Sequence, residues 1–164
     1  MIRRRFYAVV LIIAMAMLLT ACSGSNEAQE NEEPEQNTES TEEDNGMESI
    51  TMKINDEEMT VTWEDNESVE ALAKLVSESP LTIDMSMYGG FEQVGAIGTD
   101  LPSNDISITT KPGDIVLYTS SNMVVFYGSN SWSYTMLGHI ENKSEDELEA
   151  LLGANDVKIT LSAE

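Results

Sequence analysis

One cysteine, one histidine and no arginine beyond residue 5 leave this 164-residue chain with little of what most enzyme chemistry uses. The cysteine is Cys22 and the histidine is His139, so no typical zinc set of four nitrogen or sulfur ligands can be assembled. There is no G-x-S-x-G elbow, and nothing in the local sequence places His139 between a nucleophile and a carboxylate. The three arginines are Arg3, Arg4 and Arg5; after them the only cations are Lys53, Lys74, Lys111, Lys143 and Lys158. Thirty acidic side chains face eight basic ones, a net charge of −22 that becomes −25 if the three leading arginines are removed. Such a field repels phosphate backbones and anionic headgroups and excludes nucleic acid as a partner. The two acidic clusters that follow residue 50, Asp56-Glu57-Glu58 and Glu145-Asp146-Glu147, match no calcium loop. The composition calls for no cofactor and no metal.

What is present begins with an address. Three arginines, an apolar run from Phe6 to Leu19 and the tetrapeptide Leu19-Thr20-Ala21-Cys22 make residues 1–21 a signal segment too short for a membrane span. The tetrapeptide resembles the bacterial lipobox, which implies that Cys22 becomes the first residue of the mature chain and carries a diacylglycerol. Two acyl chains suffice for stable anchoring, at about 0.8 kcal/mol per buried CH₂. The expected location is the extracytoplasmic face of the cell membrane. Residues 22–46 are mostly Glu, Asn, Gln, Ser and Thr, with no Lys or Arg, and are expected to be a disordered acidic linker. Residues 47–164 then form the folded domain, large enough to bury about two-thirds of its unfolded-chain surface.

Within that domain, alternation predicts strands. Ile50, Met52 and Ile54, then Met59, Val61 and Trp63, flank a turn cluster at 55–58 and predict a hairpin. Asn66 or Ser68 caps a helix in which Val69, Leu72, Ala73 and Val76 recur at helical spacing. Leu81 to Met87 alternates again, and Phe91 to Ile97 resumes extended structure with glycines at 95 and 98. The stretch Gly113 to Ile140 reads as three strands joined by small-polar turns. Ile115–Tyr118 and Met123–Tyr127 are apolar on both faces, which predicts one face in a barrel interior and the other under a helix. Ser144 and Glu147 form a capping box for a second helix, Gly153 ends it, and Asp156 to Leu161 is the closing strand. Eight or nine short strands with two helices favour a closed barrel.

The segments YGGFEQVGAIGTDLP (88–102), GDIVLY (113–118) and NMVVFYGSNSWSYTMLGHI (122–140), with the final helix and strand, resemble the bacterial cyclophilin-like domain over about Ile50 to Leu161. The resemblance implies a mainly β fold, a closed barrel of about eight strands with two capping helices. True cyclophilins isomerise X–Pro bonds across a barrier of about 18–20 kcal/mol with an arginine beside an aromatic groove. Here that arginine is missing, lysine cannot reproduce its planar fork, and Gln93 is only a distant substitute for the accompanying glutamine. No catalytic residue is therefore carried over.

What carries over is a groove near Phe126, Trp132, Tyr134 and His139, to which Phe91 and Glu92 are added as ligand-binding candidates. The expected function is a lipid-anchored, non-catalytic module for an unidentified peptide or small molecule; the alternative is a prolyl isomerase of low activity. A third possibility, an enzyme working through Glu92 and His139, requires both side chains to reach one cavity. Asp84 and Glu92 across Gly89-Gly90 raise the separate possibility of paired carboxylates, although two unrelated surface acids are the simpler expectation.

Overall fold

The computed structural model describes residues 49–164. The expected signal segment, Cys22 and the expected acidic linker lie outside them. The described chain is mainly β, with eleven strands and two helices.

β1 (Ile50–Ile54) and β2 (Glu57–Met59) pair through a two-residue turn in which Asn55 and Asp56 have φ of 48° and 69°. Asparagine and aspartate tolerate this left-handed geometry, which suits a tight hairpin. The two glutamates assigned to the turn, Glu57 and Glu58, instead open β2. After Thr60 the chain enters β3 (Val61–Trp63), and then α1 (Glu67–Glu78). Asn66 caps α1 by accepting from the N–H groups of Ser68 and Val69, both at 3.0 Å, while its own amide donates to the Met136 carbonyl at 2.9 Å.

β4 (Leu81–Asp84), β5 (Ser86–Tyr88) and β6 (Glu92–Ala96) follow. Beyond them lie β7 (Ile106–Thr109), β8 (Asp114–Tyr118), β9 (Asn122–Phe126) and the ten-residue β10 (Ser131–Ile140). α2 (Glu145–Leu152) opens on the expected Ser144–Glu147 capping box, and β11 (Lys158–Ala163) completes the fold.

The closed barrel is not what forms. The strands make two sheets: one of four in the order β2-β1-β11-β4, and one of seven in the order β3-β10-β8-β9-β6-β5, with β7 also paired to β10. The reason lies in two short corners. At Thr60 and at Met85 an extended segment leaves an edge of the small sheet and becomes an edge of the large one, so the ladder breaks where a barrel would continue it. Each corner is held by hydrogen bonds to other segments: the Thr60 N–H donates to Asn142 Oδ1 (2.9 Å), and the Met85 N–H to the Val157 carbonyl (2.8 Å). What reads as one strand, Leu81 to Met87, is thus two strands in two sheets. The same happens to the run Met59 to Trp63 at Thr60, and the two divisions take the count from the upper expectation of nine strands to eleven.

The main core lies between the sheets. Met52, Ile54, Ile83, Ile159 and Leu161 from the small sheet meet Ile115, Leu117, Met123 and Val125 from the large one. Leu72 and Val76 of α1 and Leu148 and Leu152 of α2 join the same core. Neither helix therefore covers the opposite face of β8 and β9, as the two-sided apolarity of those strands suggested. A second cluster does so instead: Val116, Val124, Phe126 and Tyr134, with Phe91, Val94, Ile108 and Met136 packed against it.

Candidate functional site

Strand alternation sends every second residue of the large sheet to that second face. Cross-strand pairing puts Tyr88 opposite Glu92 and Glu92 opposite Phe126, with Val94 opposite Val124 one step along. The Phe126 ring is fully buried and forms a floor: it stacks parallel to Phe91, with centroids 6.5 Å apart, and meets Tyr134 edge-on at 5.7 Å. Tyr134 in turn meets Tyr118 edge-on at 5.9 Å. Four aromatic rings are thereby locked into one network.

Above this floor lies a cavity of about 350 Å³, lined by Tyr88, Glu92, Val94, Tyr118, Val124, Asn130, Trp132 and Tyr134. The rim is unusually apolar for a surface, since Tyr88 is 67% and Trp132 58% exposed. Asn130 donates its amide to the Tyr134 hydroxyl (2.9 Å), while its backbone is held by Thr110, whose N–H donates to the Asn130 carbonyl (2.9 Å) and whose hydroxyl accepts from the Asn130 N–H (3.0 Å). The loop before β10 is thus fixed in place.

Glu92 is the one carboxylate in the lining. It is buried, and its Oε2 has no hydrogen-bond partner. Loss of water disfavours its charged form and pushes its pKa up to about 6. The same lack of water raises the phenols of Tyr127 and Tyr134, with the charge of Glu92 adding to each shift. Among the described residues no lysine pairs with Glu92: Lys143 pairs with Glu57 and Lys158 with Asp84.

Of the expected ligand-binding residues, the fold brings Glu92, Trp132 and Tyr134 to the cavity wall and puts Phe126 beneath it. Phe91 supports Phe126 without lining the cavity. His139 is separated from the rest. It lies toward the far end of β10, paired with Thr62 of β3 and Asp114 of β8, whereas Trp132 and Tyr134 lie in the part of β10 paired with β7. Its Nδ1–H donates to Asp114 (2.8 Å), a buried carboxylate that also accepts from the Lys111 N–H (2.9 Å). His139 does not line the cavity, so the enzyme built on Glu92 and His139 has no common site.

Asp84 pairs with Lys158 at 3.0 Å in the other sheet, so it and Glu92 are unrelated acids. Gln93 turns to the opposite side of β6, where its amide donates to the carbonyls of Leu152 and Asn155 (2.6 and 2.8 Å). It secures the end of α2 and has no place in the cleft. Of the cavity wall, sequence reasoning left out Val94, Val124 and Asn130 and did not single out Tyr88 and Tyr118 from the other aromatics. The signal for most of them was parity: each shares a face with Glu92, Phe126 or Tyr134 once the strand order is known.

A family model described as the cyclophilin-like family matches residues 52–162. No curated protein matches the chain.

Proposed function

Because the chain belongs to the cyclophilin-like family, we propose that it is a binding module whose outer-sheet cleft holds a peptide or small molecule without converting it, tethered at the extracytoplasmic membrane face by lipid on Cys22. The observation that carries the binding assignment is the cleft itself: a cavity of about 350 Å³ with an aromatic rim, a rigid aromatic floor and one buried acid. Turnover of an X–Pro bond calls for a cation against the peptide to stabilise the twisted amide. The lining supplies none, and its acid has the opposite sign.

In a proline-isomerisation assay the chain is expected to leave the uncatalysed rate unchanged. A rate near that of a genuine cyclophilin, abolished by Trp132→Ala, would overturn the non-catalytic assignment and establish the isomerase alternative. The tether follows from Leu19-Thr20-Ala21-Cys22. Expressed in a bacterial host fed radiolabelled palmitate, the chain should take up label and fractionate with membranes. Cys22→Ser should do neither. Equal labelling of both proteins would remove the anchor from the proposal.

A further inference from the structure

Resting on that reading of the cleft, we infer that its ligand is an alkylated organic ammonium ion, with the charged head against Glu92 and the alkyl arms among Tyr88, Tyr118, Trp132 and Tyr134. Three observations converge on this chemistry. First, Glu92 Oε2 is buried and unpartnered beside an open cavity, so the site has an unmet demand for positive charge or a donor. Second, the other large groups of the wall are aromatic, and tyrosine and tryptophan faces attract cations, most strongly where water is excluded. Third, the lining contains no cationic side chain, and residues 49–164 carry 20 acidic side chains against five lysines. Anions are repelled from this cleft and cations drawn to it.

Other ligand classes fit less well. A carboxylate or phosphate would face Glu92 with nothing to neutralise it. An X–Pro amide is neutral and its nitrogen carries no hydrogen, so it brings Glu92 neither a charge nor a donor. A primary ammonium must give up strong hydration to enter an aromatic site, whereas an alkylated one presents apolar arms that the rings can cover.

The titratable groups facing Glu92 are Tyr88 from β5, Tyr118 from β8 and Tyr134 from β10; Tyr127, just after β9, packs with the main core on the other side of the sheet, where the charges of Glu92 and of Glu149 of α2 both act on it. Tyr127 and Tyr134 are held in the neutral form more firmly than usual, so Glu92 is the group that changes charge near neutrality. The cation binds the ionised acid. Its affinity should therefore be flat above about pH 6 and fall toward tenfold per unit below it.

The test is calorimetry and amide NMR on the full chain in dodecyl maltoside, a detergent without a choline group, using choline and its uncharged isostere 3,3-dimethyl-1-butanol. Choline should shift the Trp132 indole signal, and the alcohol should bind roughly tenfold or more weakly. Glu92→Gln should lose at least as much choline affinity while remaining folded. Trp132→Leu keeps apolar bulk at an exposed position but removes the π face, and should weaken choline roughly tenfold. If the alcohol or a proline-containing peptide perturbs the cleft as strongly as choline does, or if Glu92→Gln binds choline unchanged, the ammonium assignment falls while the binding module stands. If none of the three probes perturbs the cleft signals, both fall.

Discussion

Glu92 sits where a carboxylate is least comfortable, buried against Phe126 and Val94 with one oxygen unpaired. Its folded pKa of about 6 lies above the ordinary value of 4.5, so the folded chain holds this proton more tightly than the unfolded one. The associated stability is complete below about pH 4.5 and is lost as pH rises through about 6. A shift of this size corresponds to about 2 kcal/mol, which water on the open side of the cleft reduces to about 1 kcal/mol. Glu92→Gln, compared with the parent by urea denaturation, should therefore gain about 1 kcal/mol in relative stability between pH 4 and pH 8. An equal difference at both pH values would mean that the acid is solvated.

A partly buried Glu92 was legible from its place between Phe91 and an apolar strand. That His139 belongs with Asp114 was not, because the two lie 25 positions apart and meet only through the register of β8 and β10.

Elements were read more completely than their partners. Alternation located nearly every strand, and the caps at Asn66 and Ser144 form as their side chains require. What alternation could not reveal is a change of sheet within one extended run. Met85 faces the core, as does Ile83 two residues earlier, so the pattern passes through the corner without a mark. Gly95 shows how closely the corner is packed. A β-carbon there would lie 2.5 Å from both Ile83 Cγ2 and Met85 Sδ and 2.9 Å from the Asp84 carbonyl oxygen. The role of this glycine is to let β6 approach the place where β4 becomes β5. Gly95→Ala should cost about 1–3 kcal/mol, seen as a lower urea midpoint. An unchanged midpoint would show that the corner can yield.

At the scale of the molecule, composition set the charge and the ordered motifs were informative about family. Neither could show that the ladder stops at two places, because closure depends on pairings that no local window contains. The aromatic face had the same difficulty. Val116, Val124, Phe126 and Tyr134 are separated in the chain and become one floor only when β8, β9 and β10 lie side by side.

The runs through Thr60 and Met85 have a consequence for how the protein comes apart. Each is a single extended segment belonging to both layers, so neither layer can loosen without pulling on the other. Native-state amide exchange should find the slowest protons of Ile159 in the small sheet and Val125 in the large one opening together, with one shared free energy. Separate values would mean that the corners are joints, leaving the aromatic floor free to breathe while the rest of the fold stays shut.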